Sequence, residues 1–418
     1  MTGNTYLRAW RSRSATDSFP VSIILSAQLL AMVVAPAILK ETRGATTIVA
    51  ICSIAVAAAL FVEALSVPLV TRPPKRPPRP VKVRAAWAIL LAGGAASVGA
   101  TLGGVGTYAT QVGRAQQAGW TGLLTPFLLW PLIAVGLFVW LYRQKLITRS
   151  HALWAAAFAA ATQAYVGFER AILGQPVAVA FAILVMIVLG RLIRLRVLLA
   201  ACALIPLLWP TVYAVRDDMR REITGQGSIV SAGDPAERLQ LDEQMSLVSR
   251  LEGADLRPPN AALVLRTGLI PGFLDPSRPP LNTSQMLSVA SGGSASNSRS
   301  ATFLGNVYLF TGWGGVAAAG ACLALIIGAA MRRRLHSPWA LSFVGLTYLA
   351  GISFNATYPN GIVVLLQSLQ TLAVAYCVVW ALSRERRAFD DQSVATPAAT
   401  APLAPNASRE GHTRQGAT

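Results

Sequence analysis

Read as hydrophobic and polar positions, the chain is a succession of apolar blocks about 20 residues long, joined by short polar links, with one long polar interval. Seven blocks come first, at 20–39, 45–70, 85–106, 120–142, 152–173, 176–190 and 196–215. Three more follow, at 302–331, 338–355 and 361–382. A block of this length is what an α-helix needs to cross the hydrocarbon of a bilayer. The pattern predicts an all-α fold, a polytopic membrane helical bundle of about ten transmembrane helices. Its sixth helix is short and expected to be tilted or partly re-entrant. The expected divisions are a tail at 1–19, seven spans over 20–215, a large external loop with short helices at 216–301, three spans over 302–382, and a disordered tail at 383–418.

Charge placement fixes the expected orientation. The chain carries 36 Lys and Arg against 18 Asp and Glu, a formal charge of +18. Threading ten spans from a cytoplasmic amino end puts 23 of the basic residues in inner segments and four in the short outer links: Lys40, Arg43, Arg114 and Arg170. That bias follows the positive-inside rule. It makes the basic balance topogenic and removes the case for nucleic acid as a partner. No short apolar core with a small-residue cleavage site opens the chain, so residues 1–19 read as a cytoplasmic tail. The proline-rich basic run at 71–84 reads as a cytoplasmic loop. The expected location is the cytoplasmic (inner) membrane, multi-pass, with both termini cytoplasmic.

The polar interval at 216–301 holds the other nine arginines and ten acids. Asp234-Pro-Ala-Glu237 is a helix start with a capping aspartate, and Gly253 is a stop. Between them Leu241, Met245, Val248 and Leu251 form one apolar stripe, with Arg238 and Arg250 off it. A second short helix is expected over 261–269. Pro271, Pro276, Pro279 and Pro280 then impose an extended path, and the Ser- and Gly-rich run 282–301 is expected to be a mobile lid or tether. The four cysteines, Cys52, Cys202, Cys322 and Cys377, lie in apolar blocks without metal-binding or redox spacing. His151, His336 and His412 all fall on the inner side. Glu63 is the one acid deep in an apolar block, and buried ionisable groups there are often functional.

Three motifs in order carry a resemblance: Phe168-Glu169-Arg170 on a short outer turn, Ile270-Pro271 through Arg278-Pro279 at the end of the loop, and Gly305-Asn-Val-Tyr308 with Gly312 and Gly315 opening a span. Over roughly residues 165–330 the chain resembles the Wzy-type polymerases of O-antigen and related polysaccharides. It departs from them at Asn306, where many members have Glu, and at Gly272, where many have Arg. The resemblance implies a glycosyl-transferring enzyme that joins polyprenyl-diphosphate-linked oligosaccharide units on the outer membrane face.

A diphosphate leaving group develops charge as the glycosidic bond breaks, and guanidinium forks can stabilise it without a metal or cofactor. On this reading Arg170 and Arg278 act on the diphosphate, Glu169 or Asp275 serves as base, and Arg250, Arg266 and Tyr308 hold substrate. The partners implied are the lipid-linked oligosaccharide, membrane lipid, and a flippase or chain-length regulator.

Each of these residues also has a plainer reading. Arg170 could snorkel to the interface, Arg278 could brace the loop, Tyr308 and Trp313 could be interfacial aromatics, and Gly312, Gly314 and Gly315 could let helices approach closely. Arg238 with Asp242 reads as a surface pair worth little.

Three other functions fit the same residues less well. A polyprenyl-phosphate-sugar glycosyltransferase would carry acids in the first outer loop, which offers only Glu41. A glycan ligase would carry an outer histidine. A flippase or solute transporter would show internal repeats and several intramembrane charges, of which only Glu63 is present.

Overall fold

A computed structural model describes residues 19–39, 41–66, 81–111, 116, 118–171, 174–224, 246–270, 274–275, 277–293, 300–333, 337–353 and 356–394. Among these the regular structure is helical, without a strand. In chain order the helices are α1 Pro20–Leu39, with one π-turn at Leu30–Val34, and α2 Ala45–Ser66, α3 Val83–Leu102, α4 Trp130–Arg143, α5 Arg149–Glu169, α6 Gly174–Leu189 and α7 Leu195–Thr224. After them come α8 Ala261–Leu269, α9 Thr283–Ala290, α10 Phe303–Arg333, α11 Ala340–Gly351 and α12 Asn360–Val394. A 3₁₀ segment, Gly119–Phe127, leads into α4.

Among the described residues six segments are long and apolar enough to cross a membrane: Pro20–Leu39, Ala45–Leu65, Val83–Leu102, Gly119–Arg143, Phe303–Arg333 and Asn360–Leu382. The chain has the architecture of a multi-pass helical membrane protein. The other four predicted blocks fall on helices that are shorter or less apolar. α6 has 16 residues and α11 has 12. In α7 the apolar part is Leu195–Leu204, and α5 is diluted by alanine and polar residues.

α4 sits at the centre because it is apolar all round, and such a helix is stable only when enclosed. Every residue from Trp130 to Leu141 is buried, against α3, α5, α6 and α11. The Ser342 hydroxyl of α11 donates to the Ile133 carbonyl at 2.7 Å. That approach needs Gly136, since a Cβ there would lie 2.4 Å from the Ser342 nitrogen.

α2 and α10 form the other tight pair. At Gly320 an added Cβ would lie 2.2 Å from the Ala55 carbonyl oxygen. Close approach of this kind lets dispersion act between membrane helices, where no hydrophobic force pulls them together.

The glycines expected to perform this task do not. Gly314 has open space around it, and Gly315 faces Thr311 and Val307 of its own helix. Gly312 instead breaks α10, with φ 67 and ψ −162, a conformation open essentially only to glycine.

Glu63 has a structural partner. Its carboxylate accepts from the Val21 N–H at 2.7 Å, the Ser22 N–H at 3.1 Å and the Ser22 hydroxyl at 2.5 Å. The first N–H groups of a helix have no acceptor within it. Glu63 of α2 supplies that acceptor to α1, a cap delivered from another helix, and this accounts for a buried acid without a transport role.

Three boundaries differ from expectation. α7 runs nine residues past the predicted span, to Thr224, with Arg221 paired to Asp218 one turn away at 3.1 Å. α12 continues to Val394, through the first part of the tail expected to be disordered, because Ser383 to Val394 contains neither Gly nor Pro to stop it. Residues 283–290, expected to be mobile, form α9 and bury Thr283, Leu287 and Ser288, so packing outweighs local composition. The predicted helix start at 234–237, the stripe residues Leu241 and Met245, the Arg238–Asp242 pair, the loop at 71–80, Arg299 and the tail from 395 lie outside the described residues.

Candidate functional site

The end of α5 forms a polar corner. Arg170 follows the last helical residue, and Ala171 turns the chain at φ 51, its N–H donating to the Phe168 carbonyl at 2.9 Å. This turn carries the Arg170 side chain into the protein, where the residue is 7% exposed. Arg170 Nε donates to Thr101 Oγ1 at 3.1 Å. The Thr101 hydroxyl in turn donates to the Ser97 carbonyl one turn earlier in α3 at 2.9 Å, so only a lone pair faces the guanidinium.

Gly106, at φ 65, lies beside the same group, and a Cβ there would sit 3.5 Å from Nη1. Among the described residues the buried Nη2 has no hydrogen-bond partner. Among the described residues no carboxylate pairs with Arg170, and the adjacent Glu169 is exposed. From α7, Arg220 Nε reaches the Ala171 carbonyl at 3.2 Å.

Arg266 and Arg278 lie together elsewhere, on a staple around α8. Asn260 caps α8 through Oδ1, which accepts from Ala262 and Leu263. Arg266 grips Asp275 with two parallel bonds, Nε to Oδ2 at 2.6 Å and Nη2 to Oδ1 at 2.7 Å. Arg278 Nη1 donates to the Thr267 and Ile270 carbonyls at 3.2 and 2.8 Å, satisfying acceptors that the last turn of α8 leaves open.

The staple docks on α12. Gln370 Nε2 donates to the Gly268 and Leu269 carbonyls at 3.1 and 2.6 Å, and Gly268 leaves room for Leu366. Both arginines and Asp275, proposed from sequence for chemistry, are therefore engaged in holding the loop.

The hydrogen bond from Arg266 holds the Asp275 carboxyl below the usual carboxylate range, and Asp275 in turn raises the pKa of Arg266. A folded-state pKa depressed in this way adds stability above the unfolded value of about 3.9, and that contribution is lost as pH falls through the folded value. Acidification below pH about 4 is thus expected to loosen the 261–278 segment, read as faster hydrogen exchange at α8. In Asp275→Asn the exchange should already be fast at pH 7 and change little on acidification. An acid response unchanged by that substitution would rule out the pair as its source.

The remaining proposed residues stand apart. The helical stretch 246–250 buries Val248 and Leu251 as the stripe predicted, with Gly253 at φ 81 ending it, and leaves Arg250 exposed. Tyr308 donates to Glu252 at 3.2 Å and lies 4.5 Å from the Trp313 ring. Asn306 is 1% exposed, accepts from the Ala301 N–H at 2.9 Å and donates to the Tyr358 carbonyl at 3.1 Å. It ties the start of α10 to the segment before α12, a use for an amide donor that a glutamate could not serve.

Among the described residues no three of His, Cys, Asp and Glu gather into a metal-sized cluster. No family model, curated protein or solved structure matches the chain.

Two members of the Arg170 corner were not singled out from sequence. Thr101 lies inside an apolar block and carries no local signal of its partner. Arg220 stands in Arg216-Asp-Asp-Met-Arg-Arg221, where nothing local separates it from its neighbours.

Proposed function

We propose that the chain is a membrane polymerase that joins polyprenyl-diphosphate-linked oligosaccharide units into a cell-surface polysaccharide, with Arg170 at its reacting centre. The reading includes ten membrane crossings, cytoplasmic termini, and the Arg170 corner and the α8 staple on the outer face. The observation that carries it is Arg170 itself, enclosed, aimed by Thr101 and left with a buried Nη2 that no group among the described residues satisfies. The resemblance of residues 165–330 to Wzy-type polymerases supplies the reaction class.

In that reaction an acceptor-sugar hydroxyl attacks the anomeric carbon of the donor. The bond from that carbon to the diphosphate oxygen breaks, and the diphosphate leaves with the bonding pair. Arg170 meets the charge that develops on it. The hydroxyl proton passes to a base, for which Glu169 is the exposed carboxylate next to Arg170. Asp275, bound in the α8 staple, is not available for that role.

Deleting the gene and resolving the surface glycan by gel tests the reading. Single repeat units on the lipid carrier or acceptor, with long polymer restored by the wild-type gene, are expected. A normal length distribution in the deletion, together with substrate flux through the purified chain in proteoliposomes, would instead make it a transporter.

A further inference from the structure

We infer that the corner between α3, α5 and α7 is a two-arginine phosphate site in which Arg170 and Arg220 together take a diphosphate and Thr101 aims Arg170. The site is argued from geometry, and only the lipid-linked nature of its ligand rests on the proposed function.

The first consideration is charge. A guanidinium enclosed in a membrane protein is expensive and is normally paired. Arg170 is 7% exposed, and its one described side-chain partner is a neutral hydroxyl. That hydroxyl gives its proton to Ser97, so it orients Nε without balancing the charge. Among the described residues no carboxylate balances that charge, and the site assigns the compensating anion to a ligand.

The second is number. Arg220 arrives from a distant part of the sequence and is fixed to the carbonyl of Ala171, the residue after Arg170. The left-handed turn at Ala171 joins the two, placing Arg170 inside and presenting the carbonyl to α7. α7 brings Arg220 there by staying helical past its apolar part, and it also meets the single turn Tyr108–Gln111 that follows Gly106.

The third is room. Gly106 puts bare backbone beside Nη1, where a side chain would compete with a ligand for the guanidinium. Two planar donor forks suit the linked tetrahedral groups of a diphosphate, whereas one fork suffices for a monophosphate.

The test uses the purified full-length chain in detergent, titrated calorimetrically with inorganic diphosphate, with farnesyl diphosphate and with phosphatidylglycerol. Both diphosphates are expected to bind, the prenyl form more tightly, and the phospholipid at least tenfold more weakly. Arg170→Gln and Arg220→Gln are each expected to weaken diphosphate binding tenfold or more, about 1.4 kcal/mol per tenfold. Thr101→Val should weaken it less and Thr101→Ser should restore it, while Arg332→Gln in α10 should leave it unchanged.

Should either glutamine variant lose its fold, phenylglyoxal labelling of the wild type replaces it, with diphosphate expected to protect Arg170 and Arg220. Unchanged binding by Arg220→Gln, or absence of protection at Arg220, overturns the two-arginine site. Phosphatidylglycerol binding as tightly as farnesyl diphosphate overturns the diphosphate assignment. Diphosphate binding that depends on both arginines, in a chain whose deletion leaves glycan length normal, keeps the site and removes the polymerase. Shortened glycan with Arg220→Gln binding unchanged does the reverse.

Discussion

On the proposed polymerase function, replacing Arg170 with alanine is expected to leave single or very short repeat units in place of long polymer. The guanidinium is enclosed, its direction is set by Thr101, and Nη2 has no partner among the described residues. Such a group is organised before the reaction begins, and removing one donor aimed at developing charge typically costs about 10²–10³ in rate. Arg170→Lys keeps the charge but loses the fork and the Nε contact to Thr101, so an intermediate shortening is expected.

Arg278 donates to the carbonyls of α8 instead, and its alanine variant should shorten the polymer less. Gel-resolved chain length at matched protein abundance decides the matter. A full-length ladder from Arg170→Ala would remove this residue from the chemistry.

The largest structural effect is expected from Gly320→Leu. The Ala55 backbone lies where the first side-chain carbon would go, with its carbonyl oxygen at 2.2 Å, its carbonyl carbon at 2.9 Å and its Cα at 3.0 Å. No rotamer relieves a clash with backbone, so α2 and α10 must separate. Overpacking typically costs about 1–3 kcal/mol even where side chains can adjust, and here whole helices have to move.

The cost should reach or exceed that range, seen as a lower midpoint in denaturant and poor recovery from the membrane. Gly314→Leu is the matched comparison. It lies on the same helix with nothing within 4 Å and should stay within about 0.5 kcal/mol of wild type, as open surface positions usually do. Equal loss from both substitutions would show that helix length or hydropathy, not the contact with Ala55, sets the effect.

What could be read from the sequence was what depends on neighbours in the chain. Apolar blocks gave the helices, Gly253 gave an end, and Ala261 to Leu269 gave α8. The spacing of Val248 and Leu251 gave a buried face. What could not be read depends on partners far apart. The Glu63 carboxylate lies over 40 residues from the N–H groups it caps, and Arg170 lies 69 residues from Thr101.

Which glycine lets two helices meet is set by the facing helix, and so the motif glycines Gly314 and Gly315 were the wrong choice and Gly320 the right one. Gln367 and Gln370 were the overlooked local signal. Two amides in an otherwise apolar block of α12 need partners, and those partners are the α8 carbonyls. The arginines of the long interval read as a reactive set because charge is visible in sequence, whereas the Asp275 and backbone groups that engage them are not.

The cap on α1 bears on how α1 and α2 are held together. Because its acceptor belongs to α2, the leading N–H groups of α1 are matched only when α2 lies alongside. Glu63 is in that sense a latch between neighbours, and it fixes the position of one helix along the other.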